Sequence, residues 1–402
     1  MKVALVSPIP MFPTNAGHAS RIHKLAAAIQ ACGHELIFFH LPTRLNRQAP
    51  DDAAHEAMLG KGHYVRLDMG HLFHRLLHGA RDWPLRRWQK LQRMLGRDAG
   101  GYSLLDQAYR RCWTRQLARH DVGIDVVMVE YAFVSRAFEA FPRARLRLLD
   151  THDSFVDRHL RYARKGLTRG FWFSLRATEE NRGLRRAHTV LAIQEEEARL
   201  FAQQLERDGI VPNPDIAVVS HVLDLNHPVT DYSRGNAAVF VGSNSGPNRY
   251  SLGIFLEHVL PLVMREIPDF EVRVVGRICD WLADTPHVRK LGFVSDIKSV
   301  LDQAPLALNP VMLGSGINIK LLEAMAAAVP IISTQTGVRG LPEAFRAGVV
   351  VVPDADHASH AAGIVRLARD ASLRRQTGEA AYRDAQRWNA MQRETLQRLL
   401  GG

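Results

Sequence analysis

The sequence predicts an α/β protein of two doubly wound domains, each a parallel sheet with helices on its faces. Three observations predict it. Short apolar runs alternate with stretches of helical spacing along most of the chain, the rhythm of parallel sheets. The 402 residues suit two or three domains at roughly 150 residues each. The alternation pauses at turn-rich stretches, Val211–Asp215 and Leu225–Gly235, where one series gives way to another.

In the first series KVALVS (Lys2–Ser7) reads as a buried strand, and Ala19–Ala31 as a helix that Gly33 stops. ELIFFH (Glu35–His40), DVVMVE (Asp125–Glu130), RLLD (Arg147–Asp150) and TVLAI (Thr189–Ile193) read as further strands. Arg44–Gly123 is less regular, with basic helical stretches around Trp83, Trp88 and Trp113. The second series begins after about Ile210. Its strands are Ala238–Gly242, Glu271–Gly276, Leu306–Pro310, Pro330–Ser333 and Val349–Val352, with helices such as Leu252–Arg265 and Ile319–Ala328 between them. Glu379–Leu400 reads as a long polar helix. In doubly wound sheets ligands bind at the carboxyl ends of the strands, and with two such domains the expected site is the cleft between them.

Hydrophobic residues make up 46% and charged residues 23%, which excludes wholesale disorder. No apolar run reaches the ~18–20 residues that span a bilayer. The opening MKVALVSPIPMF is broken by Pro8, Pro10 and Pro13 and does not read as a signal peptide. Cys32, Cys112 and Cys279 are too widely spaced for a zinc site or a disulfide framework, so a reduced, cytoplasmic setting is expected. The net charge of +11 is uneven: Leu72–His120 carries +8, Arg143–Arg186 carries +7, and the rest −4. That bias suits an anionic partner or an Arg-rich solvated surface. Trp83 and Trp88 stand among Arg81, Arg86, Arg87, Lys90 and Arg93, a pattern suited to an anionic membrane surface or to core packing of the indoles. No nucleic-acid motif accompanies the charge.

The segment LNPVMLGSGINIKLLEAMAAAVPIIST (Leu308–Thr334) carries the most chemistry. Gly314 and Gly316 let the backbone approach a ligand closely. Free N–H groups at the helix start attract anions. Lys320 sits in the first turn, where a cation costs ~0.3–1 kcal/mol against the helix dipole, a cost that a bound phosphate reverses. Glu323, three residues on, shares its face. A cation for phosphate and a carboxylate for sugar hydroxyls suits a nucleotide sugar; a tight turn with a surface Lys–Glu pair accounts for the same residues.

The segment resembles the donor-binding motif of retaining GT-B glycosyltransferases of family 4, in the subgroup written GSGxxxKxxEAMAxGxP. FVGSNSGPNRYSLGIFLEHVLPLV (Phe240–Val263), LGFVSDIKSVLDQAPLALNPV (Leu291–Val311) and TQTGVRGL (Thr334–Leu341) are similar to neighbouring stretches of that family. The resemblance implies a GT-B fold with domains over 1–222 and 223–378, and a C-terminal helix, 379–402, that crosses back to the first. It implies that Glu323 grips the donor ribose and Lys320 faces the diphosphate, with amides of Gly316, Ile317 and Asn318 on the same phosphates. Ser315 stands where the family often has a glutamate that contacts the donor sugar. Gly242 and Ser243 open the first strand–loop–helix of this domain. Asn248 and Arg249 occupy the region of a phosphate-binding pair, and Phe293 and Val294 line the nucleobase.

In the N-terminal half, MFPTNAGHASRIHKLAAAIQACGHEL (Met11–Leu36) resembles the family's glycine-bearing opening, of which Gly17 is kept. In LLDTHDSFVDRH (Leu148–His159), His152 is expected beside the reacting sugar, with Asp153 orienting it or touching the acceptor. Glu195 and Glu196 read as helix-start carboxylates, favoured by the dipole. The implied reaction moves a sugar from a nucleoside diphosphate donor to a lipid-linked or glycan acceptor, with retention and without a metal or other cofactor. A GT-B sugar-nucleotide epimerase and a non-catalytic nucleotide-sugar-binding partner are the alternatives.

Overall fold

The structure, a computed structural model, describes residues 1–14, 17–43, 49–69, 84, 87–89, 91–92, 94–95, 98–164, 173–225, 231–233, 235–294, 296–313 and 316–401. Arg81, Trp83, Arg86, Lys90, Arg93 and Ser315 lie outside the described residues. The chain divides into two units, Met1–His221 with Thr395–Gly402, and Val222–Glu394.

The first unit is built on β1 (Lys2–Ser7), β2 (Glu35–His40), β3 (Tyr64–Arg66), β4 (Val126–Glu130), β5 (Leu146–Asp150), β6 (Thr189–Ala192) and β7 (Asp215–Val218). They form one parallel sheet in the order β3-β2-β1-β4-β5-β6-β7. β1 sits between β2 and β4, with Val3 beside Leu36 on one side and Val126 on the other. Val3–Val6 and Val126–Val129 are wholly buried, as strands covered on both faces must be. The helix Gly17–Ala31 buries Ile22, Leu25, Ala26 and Ile29 against the sheet. It ends at Gly33, whose φ of +80° suits the residue without a Cβ. Trp113 is buried, and its indole N–H donates to the Asp68 carbonyl at 2.9 Å.

The turn signal at Val211–Asp215 places the change of series too early. Asp215–Val218 is β7, the last strand of the first sheet, with Thr189 paired to Asp215. Its four residues are half-buried or exposed, so they carry no apolar run that a sequence pattern registers.

The second unit is built on β8 (Ala237–Val241), β9 (Glu271–Val275), β10 (Val288–Gly292), β11 (Ala307–Asn309), β12 (Ile331–Thr334) and β13 (Val349–Val352). All are parallel neighbours in the order β10-β9-β8-β11-β12-β13. The helical stretch Gly246–Glu266 contains a π turn at Phe255–Val259. Pro261 follows it; proline has no N–H to donate back along the helix, and the wider turn accommodates the ring. Phe240, Leu252, Phe255, Val263, Val272 and Ile364 form part of the core.

The final helix runs over Ala371–Leu400, starting eight residues before Glu379. The Asp370 carboxylate accepts the Leu373 N–H at 2.9 Å and caps it. Residues through Glu394 belong to the second unit and those from Thr395 to the first, where Leu396 and Leu400 are buried.

The ends of β8 and β9 meet through two glycines. A Cβ on Gly276, whose φ is +102°, would stand 2.3 Å from the Gly242 carbonyl oxygen. Gly276→Ala therefore meets both a strained backbone, at ~1–3 kcal/mol, and a clash that only separation of the two strand ends relieves. We expect a loss exceeding that figure in urea denaturation; an unchanged midpoint would contradict the close approach.

Candidate functional sites

In the second unit the strand order reverses between β8 and β11. At such a point the loops leaving adjacent strands diverge and open a crevice at the carboxyl edge. Gly242–Ser245 leaves β8, and Pro310–Asn318 leaves β11. The Met312 N–H donates to Ser251 Oγ at 3.1 Å, joining the second loop to the helix that follows the first. Asn248 Nδ2 donates to the Ser243 carbonyl at 2.9 Å and to its hydroxyl at 3.0 Å. Arg249, on the helix that follows, is exposed, and its Nε donates to Asn244 Oδ1 at 2.6 Å in the loop just before it.

Asn309, at the end of β11, organises the other loop. Its Nδ2 donates to Ser333 Oγ at 2.8 Å and to the Gly337 carbonyl at 3.0 Å, while its Oδ1 accepts from Asn318 Nδ2. Asn318 Oδ1 in turn accepts the Lys320 N–H at 3.2 Å and caps the helix Ile319–Ala326. Ile317 is buried beneath this start. Burial pulls the Lys320 ammonium down to about 8, against the opposing pull of Glu323. At neutral pH it is a cation held in a poorly solvated place.

Arg339, in the loop after β12, reaches the Gly316 carbonyl with Nη2 at 3.5 Å and is a second cation beside this loop. Sequence reasoning quoted its loop without singling it out; the arginine next to Gly340 was the available signal. Phe293 and Val294 follow β10 on the same sheet edge, with Phe293 55% exposed. Only β9 separates β10 from β8.

In the first unit the order reverses between β1 and β4. Gly17 opens the helix after β1, and one turn later Arg21 points into the sheet. Arg21 Nε and Nη2 each donate to the Asp150 carboxylate at 2.9 Å, and Nη2 also reaches the Val219 carbonyl at 2.6 Å. Both partners are buried. Arg21 and then His152 hold Asp150 below the usual carboxylate range, against the upward push of burial.

His152 lies just past β5, and its Nε2 is in hydrogen-bond contact with Glu130 Oε2 and 3.8 Å from Asp150 Oδ2. Its ring stacks on Tyr131 with centroids 4.1 Å apart and planes at 11°. His152 and Tyr131 have φ of +60° and +74°, a left-handed backbone that costs a non-glycine residue about 1–2 kcal/mol. Burial chiefly lowers His152 to about 4, aided by Arg21. Burial, then Asp150, raises Glu130 well above the carboxylate range.

The contact to His152 comes from Glu130. Asp153 instead forms an ion pair with Arg158 at 3.3 Å. Sequence reasoning missed Glu130 and Arg21, because a strand-end glutamate and a helix-borne arginine announce burial only once the sheet is assembled. One donor atom each from Glu130, Asp150 and His152 lie within 4.8 Å of one another, a spacing that suits a cation. Arg21 already neutralises Asp150 through both oxygens, which disfavours a second positive charge there. Glu195 and Glu196 open their helix as exposed residues, whereas Glu197 is buried and accepts the Ser154 N–H at 2.9 Å.

Solved structures share the fold of two parallel sheets with helices. Sucrose-phosphate synthase from Thermosynechococcus elongatus superposes with a TM-score of 0.62 at 15% identity, over 100% of this chain and 99% of that one. Anabaena Alr3699/HepE in complex with UDP gives 0.60 at 12% identity, over 98% and 99%. Staphylococcus aureus TarM, as a mutant in complex with Fondaparinux, alpha-GlcNAc-glycerol and UDP, gives 0.56 at 13% over 72% of this chain; the match spans 58% of TarM. The fold is therefore GT-B. Residues 235–370 match the family described as "Glycosyl transferases group 1". No curated protein matches the sequence.

The Arg21–Asp150 pair generates a stability expectation. Arg21→Met leaves a buried carboxylate without its cation, a loss of about 3–5 kcal/mol. The deficit should shrink as pH falls through the carboxylate range, because a protonated Asp150 needs no cation. Arg21→Met with Asp150→Asn should cost less than the first change alone. Urea denaturation across pH 4–8 measures all three; a pH-independent deficit would contradict the pairing.

Proposed function

We propose that the protein is a retaining glycosyltransferase that takes its sugar from a nucleoside diphosphate donor bound at the strand-order reversal of the second unit. The single observation that carries this reading is Lys320. It is a desolvated cation in the first turn of a capped helix, beside a loop between two strand ends, with Glu323 on the same face. A diphosphate would satisfy the ammonium and the free N–H groups together, and Glu323 suits ribose hydroxyls. The same groups would stabilise the diphosphate as it leaves, an electrostatic role that calls for no metal. The family match over 235–370 supports the reading, as do structural neighbours solved with UDP. In the first unit His152 is the proposed group for hydrogen-bonding a sugar oxygen.

We further propose a lipid-linked or glycan acceptor of envelope or exopolysaccharide synthesis. A galactosyltransferase of the lipopolysaccharide outer core, WaaB, is among the structures of like fold, with a TM-score of 0.56 at 13% identity. No described helix is long and apolar enough to cross a membrane. Trp88, Leu91 and Leu95 are exposed, with helical spacing, in the basic stretch that includes Arg87. We assign them to an anionic membrane surface.

UDP is the probe for the donor site. Lys320→Ala should weaken its binding by about 1.5–3 kcal/mol, the worth of a hydrogen bond to a charged group. Because an anion raises the lysine's pKa from about 8, binding at pH 8 should take up about half a proton in the parent and less in the variant. Glu323→Gln should weaken UDP and spare pyrophosphate. Calorimetry in buffers of different ionisation enthalpy reads these effects, and EDTA should change none of them. Unaltered UDP affinity in Lys320→Ala would sink the assignment.

For the surface, the parent should pellet with anionic vesicles at low salt and not with neutral ones. Trp88→Ser with Leu91→Ser should reduce pelleting without altering UDP affinity. Equal pelleting with both vesicle types would remove the membrane from this reading.

A further inference from the structure

We infer that Glu130 is a positioning residue that fixes the tautomer of His152: its carboxyl is protonated and donates to Nε2, so that Nδ1 carries the ring proton. Arg21 spends its Nε and Nη2 on Asp150 and the Val219 carbonyl. Glu130 is fully buried beside Asp150, and its Oε1 has no hydrogen-bond partner. An ionised Glu130 would be a second buried anion with no cation bonded to it, which costs several kcal/mol. Protonation removes that cost, consistent with the upward shift of this carboxyl.

A protonated carboxyl has one hydrogen to give, and Asp150 and His152 both stand close enough to take it. Asp150 already accepts from Arg21 through both of its oxygens, which leaves His152 as the partner of the acid. Oε2 is in contact with His152 Nε2, an acceptor only when the ring proton resides on Nδ1. The rest of the surroundings favour a neutral ring. Arg21 and His18 on the first helix, Asp150 and Asp153 on the β5 side and Tyr131 beside Glu130 are the titratable or charged groups that face it. Burial outweighs the two aspartates, and the imidazole stays uncharged down to about pH 4. The Tyr131 stack and the left-handed backbone hold the ring in place. Nδ1–H is then a fixed donor for an oxygen lone pair. Using that donor on a sugar oxygen rests on the glycosyltransferase reading; the tautomer itself does not.

The contrary arrangement has an ionised Glu130 accepting from Nε2–H, which would make Nδ1 an acceptor. The parent spectrum separates the two. A carboxamide in Glu130→Gln cannot ionise and can either donate an N–H to Nε2 or accept from Nε2–H, so it reads whether an uncharged hydrogen-bonding group at this position suffices to hold the ring. The experiment is long-range proton–nitrogen NMR of protein carrying nitrogen-15 in its histidine rings, with His152 assigned by its loss in His152→Asn. The expected spectrum at neutral pH is the neutral Nδ1–H form, unchanged in Glu130→Gln. Glu130→Leu should give a mixture of tautomers. With a UDP-sugar as substrate, the leucine variant should lose turnover with donor KM unchanged, and glutamine should restore turnover.

An Nε2–H ring or an imidazolium in the parent overturns the inference. If the leucine variant fails to fold, the parent spectrum still decides. UDP binding measured on the same samples keeps the two readings apart: its absence counts against the donor site, not against the tautomer.

Discussion

The first unit's site depends on one buried ion pair. Arg21 comes from the helix after β1, Asp150 from the end of β5, and the Val219 carbonyl from just beyond β7. One guanidinium thus ties together three parts of the chain. Its planar fork suits a carboxylate held by two parallel bonds, which a lysine could not supply. The pair also sets the charge of its neighbours. Because the cation is committed to Asp150, Glu130 must do without one, and His152 meets a neutral acid.

The second unit reaches a similar end by other means. Its loops are fixed by amide side chains and glycines: Asn309 bonds two neighbouring segments, Asn318 caps a helix, and Gly242 and Gly276 let two strand ends approach. Lys320 and Arg339 are cations beside this loop, and desolvation lowers the Lys320 ammonium. The first unit pairs its buried arginine internally, whereas in the second Lys320 is the cation that the proposed diphosphate would meet.

Most strands were legible because buried parallel strands are continuous apolar runs, as KVALVS and ELIFFH are, and VVVV kept the same apolar signature although it is an edge strand with only its end residues buried. β7 was not, because an edge strand of four half-buried or exposed residues lacks that signature. Lys320 and Glu323 stood out because their spacing from a glycine turn has a local mechanism, whereas Asn318 came only from the family resemblance, as a backbone donor, and its capping side chain was not foreseen. His152 stood out by its place after a strand. Its partner did not: Glu130 lies 22 residues earlier, and only the parallel pairing of β4 with β5 sets it beside Asp150. Arg21 is 129 residues from Asp150. Local patterns carry no information over such separations, so a site assembled across a sheet is read only in part from its sequence.

The loop after β5 is held by further buried acids. Glu180 accepts the Phe155 N–H at 2.6 Å and the Ser154 hydroxyl at 3.1 Å, and Glu197 accepts the Ser154 N–H. Burial raises both carboxyls, with Asp153 adding to the rise. Together with Glu130, which contacts His152, this makes three carboxyls shifted upward around the segment His152–Phe155, while Asp150 and Asp153 stay paired to Arg21 and Arg158. Five acids in one region would otherwise repel any anionic molecule. The pairing of Asp150 and Asp153 and the upward shift of the other three weaken that field, while the sequence around them, Arg143–Arg186, keeps its excess of positive charge. Acids whose charge is offset in these ways can therefore shape the His152 loop through the hydrogen bonds they accept at a reduced electrostatic cost to the region.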